Sequence, residues 1–384
     1  MALVYLSGLA QGVAVVMTPS LANVLRSPTA HALSDAEYGG LFLPFIALAI
    51  AASMGCGAAV RRLGARPVYL IGLASNALAM LLIAASALLL AHHALDRAAL
   101  LVASGALGVG FGTSLTSMNA IAPRLFPARP EAAVTALHAL LGVGTVLPAL
   151  VLPVALSHGG FQLLPLSAAA LFTALVPGLA VVPLPAAGGP SGRSPAAAST
   201  TTARPLWGFA AAAAFYGLYE ALIGNWGVLY LHEERGLSTA RAGVALATFW
   251  ASVTAGRALV AALTRVVPAR AIYVALPLVA GTAFAALRGA GEATAPLAFA
   301  VAGLGCSAFL PLTISFAAQV DPARAESAAG LMLAAFMGGQ GVSNTMVGFA
   351  RGQGRIALGT LFAGLAVASL LLAWLAASLA RPQR

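Results

Sequence analysis

The chain has 384 residues, of which 60% are hydrophobic and only 8% charged. A soluble globular chain is about one quarter charged, so this composition excludes a water-soluble protein with an ordinary polar surface. The formal charge of +10 comes from 20 basic residues, all arginine, which sit in short loops rather than in a patch or tail and so point to membrane topology and away from a nucleic-acid partner.

Alanine and leucine dominate, and the alternation of a membrane β-barrel is absent. The expected fold class is an all-α integral membrane protein, because helices satisfy their own backbone groups in lipid. Twelve transmembrane helices are predicted, at 3–24, 38–60, 67–91, 98–122, 132–157, 162–184, 205–231, 241–263, 271–289, 294–319, 327–350 and 355–380. Each is near the ~20 residues that span a bilayer core. The first begins at Ala2, without a cleavage signature, and is expected to serve as an uncleaved anchor. Cys56 and Cys306 both fall inside spans, which argues against a disulfide framework or a zinc site.

Between the second and third spans lies "RRLGAR", with Arg61, Arg62 and Arg66. Arg62 and Arg66 are candidate gating residues. "HHALD", 92–96, precedes the fourth span. Its His92, His93 and Asp96 imitate an acyltransferase box, but the spacing is one residue short, so a polar loop is the expectation. Asn119 stands near the inner end of the fourth span and His138 in the fifth. His138 could hydrogen-bond a solute or carry a proton, since imidazole titrates near ~6.5. A hydrogen bond between helices is the competing role for both residues.

Residues 183–205, "PLPAAGGPSGRSPAAASTTTARP", are rich in Pro, Gly, Ser and Ala, the composition of a flexible linker. The domains expected are an N-terminal six-helix bundle over 1–184, a cytoplasmic linker over 185–204 and a C-terminal six-helix bundle over 205–384. The halves resemble each other: "PARPE" at 127–131 matches "PARAE" at 322–326, "GARPVYL" matches "PARAIYV", and "GALGVGFG" lies opposite "GLGCSAF". Two similar six-helix halves in parallel relation suit a transporter with its site between them.

The seventh span carries Glu220, the one formally charged residue from Pro205 to His232. It lies roughly 20 Å along the helix at ~1.5 Å per residue, past the midplane. An ionised carboxylate there costs at least ~2.5–3.5 kcal/mol, a cost tolerated for a cavity, a partner or a proton. Tyr216, Tyr219, Asn225 and Trp226 surround it in sequence. Their rings and amide suit a sugar, although Trp226 and Tyr230 also fit a lipid-interface belt. Arg257, the one arginine well inside a span, is expected about 10 Å or more from Glu220 in depth, so a gate rather than an ion pair is predicted. Gln340 and Asn344 are four apart in the eleventh span and share a face, as cavity lining or as interhelical packing.

Alternating the loops gives one side Arg61, Arg62, Arg66, Arg124, Arg129, Arg193, Arg204, Arg265, Arg270, Arg324, Arg381 and Arg384. That side is expected to be cytoplasmic, with both termini on it, in a cell (inner) membrane.

These residues resemble the major facilitator superfamily. Gly57, Arg62, Gly64 and Arg66 are similar to its loop signature, with Arg61 where the pattern prefers aspartate. The stretch 119–148 resembles the fucose and glucose permease branch at Asn119, Phe126, Pro127, Arg129, Leu137, His138, Ala139, Gly142, Val143 and Gly144. The resemblance implies the major facilitator fold and a transporter, not an enzyme. It implies a monomer in the bilayer that moves a small-molecule solute, a sugar or related polyol, by alternating access. No cofactor or metal is expected, and the candidate coupling ions are H+ and Na+, acting through Glu220. The alternative is a proton-driven drug or metabolite exporter of the same fold.

Overall fold

The computed structural model describes residues 1–182, 204–320 and 325–380. The expected linker over 185–204 lies outside them apart from Arg204, as do Arg193, Arg324, Arg381 and Arg384. Among the described residues every regular element is helical. The chain divides into two compact units, Met1–Arg193 and Ser194–Arg384.

Unit 1 holds α1 (Ala2–Val15), α2 (Phe42–Leu63), α3 (Ala65–Ala85), α4 (His93–Leu125), α5 (Pro130–His158) and α6 (Leu163–Val181). Unit 2 holds α7 (Arg204–Leu229), α8 (Thr239–Leu263), α9 (Ala269–Ala286), α10 (Ala295–Cys306, then Phe309–Val320), α11 (Ala325–Gly352) and α12 (Leu358–Leu379). Ten described helical segments are long and apolar enough to cross a membrane. The other two positions are the short α1 and the more polar α11, which carries Gln340, Ser343, Asn344 and Thr345. Large apolar side chains stand exposed on outer faces, such as Leu150 and Val154 on α5 and Val367, Leu370, Leu371 and Trp374 on α12. Water would oppose such faces; hydrocarbon accepts them.

Two expected helices are interrupted, each by a proline. The first does not run unbroken over 3–24. It stops at Val15 and continues as the short turns Met17–Ser20 and Ala22–Arg26. Pro19 has no N–H for the carbonyl of Val15, four residues back, and its ring crowds that carbonyl. The tenth does not run unbroken over 294–319, because Pro311 does the same to Ser307 and the helix parts at Ser307 and Ala308.

The helix ends are tied in matching ways in both units. Ser34 accepts from the Glu37 N–H at 3.2 Å ahead of α2, and Ser238 accepts from the Arg241 N–H at 3.3 Å ahead of α8. Arg66 donates to the carbonyls of Ala180 and Val182 at 2.9 Å each, at the C-terminus of α6. Arg270 reaches the Ala377 carbonyl near the end of α12 at 3.4 Å. Cations are stabilised there by the helix dipole.

Packing repeats as well. Within unit 1, α1 lies on α5, α2 on α4, and α3 on α4 and α6; within unit 2, α7 lies on α11, α8 on α10, and α9 on α10 and α12. Glycines make these contacts close. Gly12 faces the Leu141 carbonyl and Gly144 the Leu9 carbonyl, as Gly217 faces that of Phe336 and Gly339 that of Ala214. Gly108 faces Phe45 and Gly110 faces Asn76, as Gly303 faces Phe249 and Gly305 faces Ala280. One residue offset relates α4 and α5 to α10 and α11, and it is the offset from 127–131 to 322–326. Backbones approach this closely only where no side chain intervenes, and the contact is then held by dispersion and carbonyl packing.

Neighbouring glycines in α11 test this. A Cβ at Gly338 meets nothing within 4 Å, whereas one at Gly339 runs into the Ala214 backbone. Gly338→Ala should stabilise the protein by about 0.5–1 kcal/mol through reduced backbone entropy. Gly339→Ala should destabilise it by about 1–3 kcal/mol through overpacking. Thermal unfolding of the two purified variants should therefore move in opposite directions.

Candidate functional site

Glu220 lies buried in unit 2, on the face of α7 that meets α10 and α11. The small neighbour Gly217 lets α11 close against this part of α7. One carboxylate oxygen accepts from the Tyr216 hydroxyl, one helical turn earlier; the other accepts from Gln340 Nε2 at 3.3 Å. Tyr216 is held between two rings: it stacks on Phe336 of α11 at 5.5 Å between centroids and lies tilted against Phe309 of α10 at 5.2 Å.

The Tyr216 hydroxyl also reaches the Cys306 carbonyl at 2.6 Å. That carbonyl is the last of the first segment of α10, at the break that Pro311 imposes. The next carbonyl, that of Ser307, accepts from Arg257 Nε at 3.2 Å. Tyr216 and Arg257 thus engage adjacent carbonyls of one helix discontinuity. Arg257 forms no ion pair with Glu220 among the described residues; its guanidinium is spent on the Ser307 carbonyl. Breaks in transmembrane helices are stable where such donors satisfy the freed backbone groups.

Proton counting defines what this cluster can do. A phenol has one proton to donate, and here two oxygens compete for it. If Glu220 is ionised, Tyr216 donates to the carboxylate and the contact with Cys306 has no hydrogen. If Glu220 carries a proton, its O–H can donate to the Tyr216 oxygen while Tyr216 donates to Cys306. The protonation state of Glu220 therefore selects whether the Tyr216 proton is available to the Cys306 carbonyl.

Asn225, Trp226 and Asn344 come together one turn further along. Asn344 Oδ1 accepts from Asn225 Nδ2 at 3.2 Å and from the Trp226 indole N–H at 3.1 Å, and its own amide donates to the Gln340 carbonyl at 2.9 Å. Asn344 and Trp226 are fully buried. Their bonds join α7 to α11. Trp226 therefore lies in a helix seam and not in a lipid belt.

Tyr219 is placed elsewhere. It is buried toward α9 and α12, with its hydroxyl on Ser369 and its ring edge-on to Phe284 at 4.7 Å. It does not meet Glu220. Tyr230, for which a lipid belt was an expected setting, is also buried: its hydroxyl donates to the Leu287 carbonyl at 2.8 Å and its ring lies on Phe362. The exposed indoles are Trp207 and Trp374.

His138 and Asn119 belong to unit 1, where His138 Nε2 lies 2.9 Å from Asn119 Oδ1 and links α5 to α4. Asn119 also donates to the Leu115 carbonyl of its own helix at 2.9 Å. Arg62 stands exposed in the last turn of α2, while Arg66 is occupied at the end of α6. Asp96, the acid of the acyltransferase lookalike, is fully buried with both oxygens on His31 Nδ1, at 2.9 and 3.0 Å. It is not available to His92 or His93.

Three features escaped the sequence. The His31–Asp96 pair joins the turn after the first span to the first turn of α4 and has no spacing signal. The Gln11, Asn76 and Ser114 network, fully buried across α1, α3 and α4, could be read only as scattered polar residues. The break at Cys306 and Ser307 did have a signal, in Pro311 four residues on.

Comparison with known proteins bears on the whole chain. The model of the Major Facilitator Superfamily matches residues 1–344. A variant of the nucleoside transporter NupG superposes with a TM-score of 0.78 at 18% identity, covering 99% of each chain. The xylose transporter XylE from E. coli, in an inward-open conformation, gives 0.75 at 15% identity over 100% of this chain and 96% of that one. A variant of the E. coli fucose:proton symporter FucP gives 0.64 at 14% identity over 99% and 98%. A search of curated protein sequences finds no match. At these identities the solved structures establish the fold. The family match goes further: with twelve helices in two related bundles, this chain belongs to the Major Facilitator Superfamily and is a multi-pass membrane transporter, not an enzyme.

Proposed function

We propose that this transporter moves a small polar solute of the sugar, polyol or nucleoside class by alternating access, with a proton as the coupling ion and Glu220 as its carrier. The observation that carries the reading is the buried Glu220 carboxylate, bonded by Tyr216 and Gln340 at a helix break. Such a group is costly in a membrane protein unless it binds a solute or cycles a proton. The neighbouring polar groups of Asn225, Gln340 and Asn344 suit hydroxyl-bearing solutes. The similar folds named above belong to transporters of a nucleoside, a pentose and a deoxy-sugar, which favours this class over a hydrophobic drug. Within unit 1, His138 and Asn119 are proposed as solute-binding groups; Arg62 and Arg257 are proposed as gating groups. Both termini are assigned to the cytoplasmic side of a cell membrane, from the arginine bias of the loops, and the working form to the monomer.

Coupling follows from the proton count. Protonation of Glu220 lets Tyr216 hold the Cys306 carbonyl; deprotonation withdraws that donor and leaves the break supported by Arg257 alone.

Uptake into proteoliposomes, with a panel of labelled sugars and nucleosides and an imposed pH gradient, tests the reading. Wild-type protein should accumulate at least one solute when the gradient is present. Glu220→Gln should lose gradient-driven accumulation yet retain exchange of internal for external solute. Equal accumulation by wild type and Glu220→Gln, for every solute transported, would remove the proton role. Tyr216→Phe should lower uptake by about ten- to a hundredfold, since loss of a hydrogen bond to a charged group costs about 1.5–3 kcal/mol. It should also change the pH at which uptake is half-maximal. Pro311→Ala should restore a donor to Ser307 and raise thermal stability by up to ~3 kcal/mol, with slower turnover. Unchanged turnover in a stabilised Pro311→Ala protein would show that the break is not used.

A further inference from the structure

The end of α7 remote from Arg204 has its own architecture. The helix widens into a π-turn over Tyr230–Glu234, which carries Glu234 across to the start of α12. Both oxygens of Glu234 are fully engaged there. They accept from the N–H groups of Leu358 at 2.7 Å and Gly359 at 2.9 Å, and from Arg351 at 2.9 Å. Glu233 takes the other nitrogen of Arg351 at 2.6 Å. Glu234 thus caps the N-terminus of α12 and shares the Arg351 cation with Glu233.

Beside this capped end is an open cleft of about 400 Å³, lined by Tyr230, Glu234, Arg235, Arg288, Gly359 and Thr360, among others. Its frame is fixed by two bonds. The Tyr230 hydroxyl donates to the Leu287 carbonyl at 2.8 Å, and Arg235 Nε donates to the Ala290 carbonyl at 3.1 Å. Both acceptors flank Arg288, which sits in the 3-10 turn Leu287–Gly289 after α9. Arg235 uses only Nε in this bond, and its terminal nitrogens have no acceptor among the described residues. Arg288 has no hydrogen-bond acceptor among the described residues. Counting Arg351 and the two carboxylates it bridges, the neighbourhood of the cleft holds three guanidinium charges against two carboxylates, a net positive charge.

Two guanidinium groups held near one another repel unless an anion lies between them. Guanidinium forks match phosphate and carboxylate geometry, with two parallel N–H bonds per pair. The volume falls within the range of small-ligand sites and exceeds what a halide needs. The position, at the end of a membrane-spanning helix, is the depth of a lipid head group. Thr360 adds a hydroxyl donor in the first turn of α12.

We propose that the cleft framed by the π-turn of α7, the 3-10 turn after α9 and the first turn of α12 binds a phosphate-bearing anion through Arg235 and Arg288. A phospholipid head group and free phosphate share this chemistry. Glu220 plays no part in the site, so it stands or falls separately from the transport reading.

The test uses the full-length protein. Native mass spectrometry with added phosphatidylglycerol or phosphatidylcholine is compared with thermal unfolding in inorganic phosphate against chloride at equal ionic strength. Wild type should retain phosphatidylglycerol over phosphatidylcholine, and Arg235→Gln/Arg288→Gln should retain it about tenfold less, as expected for losing charge-assisted bonds. Arg265→Gln, which removes one charge elsewhere, should bind as wild type does. Stabilisation by inorganic phosphate that is lost in the double variant, without a lipid preference, would support the same site with a soluble occupant. Arg235 also holds the Ala290 carbonyl, so Arg288→Gln alone provides a variant with no internal bond removed. If wild type shows neither lipid preference nor phosphate stabilisation, or if Arg288→Gln and the double variant match it in both, the proposal is overturned.

Discussion

One phenol lies between two oxygens, and the proposed coupling depends on it. Tyr216 is within reach of the Glu220 carboxylate and of the Cys306 carbonyl, and it can donate to one at a time. The first oxygen is on α7, the same helix as the phenol. The second belongs to α10, at a break that exists because Pro311 cannot donate to Ser307. A proton on Glu220 therefore changes the support of a different helix. The rings of Phe309 and Phe336 keep the phenol in place, and Arg257 stands by on the neighbouring carbonyl.

The same two constraints recur through each unit: apolar helices must meet closely, and backbone polar groups must be satisfied wherever a helix is interrupted. Glycine meets the first at α1–α5 and again at α7–α11, with carbonyls of the opposite helix in contact. Side chains meet the second. Arg66 and Arg270 take the final carbonyls of α6 and α12, and Arg257 takes the freed carbonyl in α10. Arginine suits these places because its stem can lie along apolar helix surface while its donors reach the backbone.

Much of this was legible in the sequence, for physical reasons. Spans are readable because lipid tolerates few alternatives to an apolar helix. The repeat is readable because "GVG" and "GLG" must sit at the same close crossings in each half, so their spacing is conserved within the chain itself. Glu220 is readable because a carboxylate in an apolar run needs a reason. Partnership is less legible. Tyr216 and Tyr219 are three apart and equally placed by composition, yet one turns to α10 and α11 and the other to α9 and α12. Helix rotation decides between them, and packing over the whole unit sets rotation. Position near the end of a span fits Trp226 to a solute site or a belt equally, and Tyr230 to a belt. Burial of their polar atoms on Asn344 and Leu287 is a tertiary fact, with no local trace.

The most direct test is infrared difference spectroscopy of the purified transporter between high and low pH. A protonated carboxyl buried from water has a carbonyl stretch separate from those of ionised and solvated carboxylates. Wild type should gain such a band on acidification, Glu220→Gln should lack it, and Tyr216→Phe should shift its frequency. Spectra in which no such band forms, or in which it persists unchanged in Glu220→Gln, would contradict the assignment of the transported proton to Glu220.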